Sequence, residues 1–427
     1  MCWSNSAAAL PAYAQQTGQP CSQCHVGAFG PQLKPYGREF KLFGYVNGDK
    51  LNTLPSIAVV ALISFTHTSS PQTSAPASHF ADNDNVALDQ LNLLYGGKLF
   101  GGAGTFAELT YDGVRRTFTI DNVDIKRAVY LDLGERHAVV GLDLNDSPTV
   151  QDLWNSTPTW GFPYNSSALA PTPAARAAID GDLAQRVVGV GAYTMWNDLL
   201  YAEATAYQPI ENRVASRLGV DVPTGSDAYN GVIPYWRVAL QHQFTGNYLE
   251  AGAYGLLASR FPSGVVSDGT DRIADVALDA TYQYTAGARN FLSAHATWIH
   301  ENEQLNASRA PTGSQPSDHL DTLRGDLSYS FNSTWTPSAQ LFRTTGSRDA
   351  VFFGAPNGAN SQGYLIELAY VPFGKVGSPV LWANARFTAQ WVGYTEFNGL
   401  RKGASANNTL YLSSRFAVAP LGAFVHR

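Results

Sequence analysis

The chain has 427 residues, a net charge of -6 and only 15% charged residues, against 12% aromatics and 39 glycines. No stretch approaches the about 18 consecutive apolar residues of a transmembrane helix; the longest clean run is 57–63, which excludes a helical membrane protein. No phosphate loop, Ser-His-Asp arrangement or basic aromatic patch is present, so hydrolytic and nucleic-acid functions have no support.

Residues 1–14 are small and apolar and end in Ala12-Tyr13-Ala14, which fits the A-x-A rule of signal-peptide cleavage. They read as the remnant of an export signal, with Gln15 as the mature N-terminus and Cys2 removed. The other two cysteines form Cys21-Ser22-Gln23-Cys24-His25, the Cys-x-x-Cys-His pattern of covalent c-type haem attachment. Two thiols one helical turn apart add to the two vinyl groups of one haem, and the adjacent imidazole ligates iron. Cys21 and Cys24 are therefore the expected thioether anchors and His25 the proximal ligand. A Cys21–Cys24 disulfide leaves His25 without a purpose, and half of a zinc site lacks its second cysteine pair.

The segment 15–50 is too short to enclose a haem by itself and reads as a plug, with 51–427 as the domain around it. Phe29, Leu33, Tyr36, Phe40 and Phe43 recur at helical spacing, with Pro31 and Gly44 as punctuation, so one short helix is expected. Its aromatic stripe, Phe29, Tyr36 and Phe40 in particular, packs either on the porphyrin or on the surrounding wall.

From 56 onward, segments of roughly ten residues alternate in hydrophobicity between turn residues, the signature of a transmembrane β-barrel. Strands are expected at 56–68, 86–100, 103–112, 118–133, 137–146, 186–196, 199–208, 232–244, 247–260, 271–284, 289–302, 320–331, 334–345, 363–373, 381–395 and 407–418. In 272–284, for example, Val276, Leu278 and Tyr284 share the lipid parity while Asp275, Asp279, Thr281 and Gln283 share the lumen parity. Turns after even-numbered segments are short, such as Gly101-Gly102 and Asn197-Asp198, whereas 146–185 and 208–231 are long. An even strand number with this asymmetry places both termini in the periplasm, and Trp196, Trp236, Trp298, Trp335 and Trp391 suit interfacial girdles. The fold class is thus all-β, an outer-membrane barrel of about 16 antiparallel strands with a short, partly helical haem plug.

The sixth iron ligand is less legible. Met195 shares parity with Val187 and Tyr193 and is expected to face lipid, as are His242 and His300. His67 falls on the apolar parity at the end of the first strand. His295 faces the lumen near mid-strand and is the candidate distal ligand, against the plainer reading of a hydrogen-bonded lumen histidine; a five-coordinate or water-bound iron is the remaining option. Asp82, Asp84, Asp146, Asp152, Glu301 and Glu303 could offer hard oxygen ligands to Fe(II), or be solvated loop acids. Glu108, Asp143, Glu203, Glu367, Arg237, Arg386 and Arg415 point inward as lumen-wall charges.

Ala12-Tyr13-Ala14, Gln16-Thr17-Gly18, the haem motif and Tyr36-Gly37-Arg38-Glu39-Phe40-Lys41 followed by Gly44-Tyr45 resemble the N-terminus of the fused outer-membrane monohaem cytochrome c-porins of iron-oxidising bacteria. Gln15 and Tyr36 depart from that pattern without touching haem attachment. The resemblance implies one covalently attached haem c, oxidation of extracellular Fe(II), and transfer of electrons to a periplasmic cytochrome c or other carrier. It also implies an outer-membrane lipid environment and a monomer or porin-like trimer. A substrate porin with a structural or sensory haem plug, and a conduit for another donor or for electron export, are the alternatives.

Overall fold

A computed structural model describes residues 10–48, 57–223, 225–287, 289–309, 315–349, 358–375 and 377–419. Cys2, the rest of 1–9 and the junction 49–56 lie outside them.

Beyond the junction run β1 Ile57–Thr68, β2 Asn85–Lys98, β3 Ala103–Asp112, β4 Thr117–Asp132, β5 His137–Asn145, β6 Val187–Trp196, β7 Leu200–Pro209, β8 Ala228–Asn230 and β9 Ile233–Phe244. They continue as β10 Asn247–Phe261, β11 Asp271–Ala286, β12 Asn290–Gln304, β13 Ser317–Phe331, β14 Trp335–Gly346, β15 Ser361–Tyr370, β16 Ala383–Glu396 and β17 Thr409–Val418. Sequential long strands pair antiparallel, β7 pairing directly with β9, and β1 pairs with both β2 and β17, so the sheet closes. Closure leaves no edge, which in hydrocarbon is the condition for a β-structure to exist at all. The three-residue β8 only extends the ladder beside the end of β10, leaving a barrel of sixteen long strands whose bounds fall within three residues of those expected.

The wall alternates as its sequence demands. Leu278 is 50% exposed on the outside while its neighbours Asp279 and Ala277 are buried inside. The same outward belt includes Leu142, Val190, Leu240, Leu323, Leu341 and Ile366. Exposed apolar area wrapped around a closed barrel is solvated by lipid, not water. All seven anticipated lumen charges, Glu108, Asp143, Glu203, Glu367, Arg237, Arg386 and Arg415, are buried on the inner face.

One strand reverses the expected reading. In β6, Val187, Tyr193 and Met195 face the lumen, and Val188 and Val190 face outward. Both faces of β6 are apolar, so alternation could not tell them apart; the inner one packs on Leu42, Trp154 and Tyr201.

The lumen is filled from both ends. The N-terminal segment enters at the short-turn end, where Asn384 donates to the Ala28 carbonyl at 2.8 Å and Tyr193 to that of Leu42 at 2.7 Å. Its helices are α1 Pro11–Thr17, α2 Cys21–Cys24 and α3 Pro35–Leu42. Proline opens α1 and α3, where a missing N–H costs nothing, and Gly18 closes α1 in the left-handed region at φ 69°. The expected helix thus starts at Pro35, not Pro31, and Phe29 and Leu33 lie before it. From the opposite end the connection between β5 and β6, expected to be an outer loop, folds inward and buries Val150, Leu153, Trp154, Trp160, Phe162, Leu169 and Leu183. Arg237, fully buried, ties it to the wall through Asp152 (3.5 Å), Glu250 (3.2 Å) and Asp279 (2.8 Å).

Candidate functional site

The haem motif forms a single helical turn. Cys21 to Cys24 are helical, His25 N donates to the Cys21 carbonyl at 2.9 Å, and the chain then leaves in extended conformation. It returns at once: Lys34 N donates to the Cys24 carbonyl at 2.8 Å and the Lys34 ammonium to that of Ser22 at 2.8 Å. Helix α3 crosses so closely that a Cβ on Gly37 would lie 2.6 Å from the Cys24 carbonyl oxygen, so only glycine fits there.

Cys24 and His25 border a small, largely apolar cavity. The plug contributes Leu33, Phe40, Lys41 and Tyr45, and α1 contributes Tyr13; the wall adds Phe106 and the infolded loop Asn155 and Trp160. Cys21 packs against the same apolar cluster. Both thiols are free, and burial pushes them up to about 11 and about 12 respectively. Burial lowers His25 to about 4, opposed in part by the Gly30 backbone and aided to a smaller degree by the Lys34 charge. A neutral imidazole is the form that ligates iron. The buried Nδ1 of His25 has no hydrogen-bond partner. Anchors, a neutral imidazole and an apolar chamber on one side of the turn are what a haem c requires, and the residues fit it. Among the described residues no three His, Cys, Asp or Glu side chains gather as a metal cluster, which leaves the half-zinc reading without its other half.

The remaining candidates separate. Phe40 borders the cavity; Phe29 is buried in the same apolar cluster but does not border it, and Tyr36 is half-buried away from it. The expected stripe therefore divides: Leu33 and Phe40 border the cavity, and Phe29 and Tyr36 do not. His295 does not border the cavity either. Its Nδ1 lies 2.9 Å from Asp326 and 3.4 Å from Gln32 Nε2 of the plug, and its Nε2 lies 3.3 Å from Ser293. That is the hydrogen-bonded lumen histidine, not a side chain aimed at the chamber. Among the described residues no other histidine and no methionine borders the chamber.

Of the acids considered for Fe(II), Asp82 and Asp84 are exposed, with Asp84 2.7 Å from His67. The others are engaged. Asp146 accepts from Val123 N, Asp152 from the Trp154, Ser156 and Thr157 amides, Glu301 from Ala178 N, and Glu303 pairs with Arg260.

Wall and plug are joined by specific contacts. Arg38 donates to the Leu33 carbonyl and to Gln283, both at 2.7 Å, with its guanidinium 3.7 Å over the Tyr248 ring. Tyr45 donates to Asp124 at 2.5 Å. Lys41 donates to the Val150 carbonyl (2.7 Å) and Asn155 Oδ1 (2.8 Å), and Asn155 donates to the Pro31 carbonyl (2.8 Å), so plug and loop lock together beside the cavity. Beyond that lock, toward the long-loop end, lies a second cavity of about 250 Å³ bordered by Phe162, Arg176, Arg324, Asp326 and Tyr394. The stretch 158–163 forms the partition, with Trp160 on the first cavity and Phe162 on the second. Sequence reasoning missed Asn155 and Trp160; the clue was a loop too rich in Trp, Phe and Tyr, and too poor in charge, to be solvated.

No family model and no curated protein matches the chain. Among solved structures it is similar to OprB of Pseudomonas putida at high pH, with 11% identity over 85% of this chain and 93% of that one and a TM-score of 0.53. Similar too are an anion-selective porin from Comamonas acidovorans (11% identity, 85% and 98% covered, TM-score 0.47) and the trimer form of in-vitro folded OmpT of Vibrio cholerae (10%, 84% and 98%, 0.46). The likeness to OprB is one of fold: a closed antiparallel barrel of the outer-membrane kind.

Proposed function

We propose that this chain is an outer-membrane electron conduit, a porin-like barrel whose lumen holds one covalently attached haem c, with extracellular Fe(II) as the donor and a periplasmic carrier as the acceptor. One observation carries the reading: Cys24 and His25 open onto an apolar chamber inside a barrel filled from both ends. When bound there, a haem supplies one-electron exchange, and every other requirement falls to the polypeptide.

Cys21 and Cys24 fix the group covalently, and His25 presents a neutral imbedded ring to the iron. Phe40, Tyr45, Phe106 and Trp160 exclude water, which would otherwise stabilise the oxidised form. Arg38, Tyr45 and Lys41 pin the plug so that it cannot leave the pore. The infolded loop closes the opposite side, and its stretch 158–163 borders both the chamber and the outer cavity. Ferric product formed on the far side of that partition stays outside the cell. The Fe(II) donor and the direction of flow are supported by the N-terminal resemblance, and the conduit by the chamber.

Purified, oxidised protein in detergent should develop the reduced haem α-band on addition of Fe(II). Absence of reduction removes iron as donor; rapid solute flux through liposomes carrying intact protein would favour a substrate porin with a structural plug.

A further inference from the structure

We infer that α1 (Pro11–Thr17) is a permanent wall of the haem chamber, with Tyr13 as its positioning residue, and that export cleavage does not occur after Ala14. The cleavage-like Ala12-Tyr13-Ala14 lies within a helix whose residues Pro11, Ala12, Ala14 and Gln16, with Leu10 just before it, are buried in the lumen. Tyr13 borders the chamber with Cys24 and His25. Its ring meets Phe40 edge-on at 4.9 Å and stacks on Tyr45 at 5.7 Å, and its hydroxyl donates to the Thr105 carbonyl on β3 at 2.8 Å. Gln15 donates to the Ala419 carbonyl at 3.3 Å, and Gln16 to those of Tyr45 (2.8 Å) and Asn47 (3.1 Å).

The barrel itself is shaped for these residues. Gly96 faces the lumen from β2, and a Cβ there would lie 2.8 Å from Leu10 Cδ1 and 2.9 Å from Tyr13 Cζ. Glycine inside a strand forfeits entropy and packing, so it is kept where another group must come close. The group here belongs to the stretch that cleavage after Ala14 would discard. Without Tyr13 the chamber opens beside His25, and water reaching a haem lowers its potential.

The positioning role rests on the haem reading; retention of α1 does not. N-terminal sequencing and intact mass of the full chain, exported and purified from membranes, should find Leu10 to Ala14 present, and a chain beginning at Gln15 overturns the inference. Gly96→Val should lower the thermal midpoint, because valine otherwise favours strands; a midpoint equal to or above that of the parent overturns it. In the haem-loaded protein Tyr13→Ala should shift the midpoint potential downward while Tyr13→Phe stays near the parent, and equal potentials for all three refute the positioning role. Retained Leu10–Ala14 in a matured chain without a haem spectrum would sink the haem reading and leave α1 standing as a plug wall.

Discussion

The two faces of the barrel wall obey different rules. Outside, the strands repeat one chemistry: Leu278, Leu323, Leu341 and Ile366 meet a fluid apolar solvent in which any similar residue serves. Inside, side chains are held by specific partners, as Arg237 is by its three carboxylates and Gln283 by Arg38 and Leu33. Lipid imposes a requirement on hydrophobicity alone, whereas a lumen filled with polypeptide imposes requirements on shape, charge and hydrogen-bond direction.

The largest expected effect tests whether plug chemistry and wall are separable. Replacing Cys21 and Cys24 by Ser, or His25 by Ala, should abolish the bound haem spectrum while circular dichroism retains the β-barrel signal; collapse of the barrel would show that the wall depends on its plug. Next comes Arg237→Leu, which strands Asp152, Glu250 and Asp279 in the interior. Removing one partner of a buried ionic cluster costs about 3–5 kcal/mol, to be read from urea unfolding in detergent.

A smaller effect concerns Lys41, at the lock between plug and loop. Burial brings its ammonium down to about 7, reinforced by Lys126 and opposed by Asp124, Asp152 and Glu203. A free lysine holds its proton to about 10.4, so between these values the unfolded chain binds the extra proton and stability rises with pH. The haem midpoint should meanwhile fall as pH passes through about 7 and the neighbouring charge disappears. Lys41→Met should flatten both dependences in unfolding and potentiometric titrations. The smallest effect belongs to the outer face: Leu341→Ala, at a position 70% exposed, should cost under about 1 kcal/mol in the same unfolding assay. An outward substitution as damaging as Arg237→Leu would erase the contrast between the faces.

The wall was legible because its rule is local. Period-two alternation and turn residues located sixteen strands, since each residue's side of the sheet follows from its neighbours. Where both faces are apolar, as in β6, the same rule fails, and Met195 turned out to face the plug. The Cys21 to His25 motif was equally local, since its chemistry is contained in five residues.

What surrounds that motif was not local. Tyr13, Phe106, Asn155 and Trp160 come from a stretch read as removable, a strand and a loop read as external, and they meet only because the barrel closes around them. His295 and Tyr36 had suitable chemistry and parity or spacing, yet one is held by Asp326 and the other lies off the chamber. By itself the sequence determined the barrel, its strand order and the inward charges, all of which rest on contacts within or between adjacent segments. Only the tertiary structure decided that the 146–186 connection turns inward and which side chains enclose the chamber, because those choices depend on volume left inside a closed wall, a quantity no single segment carries.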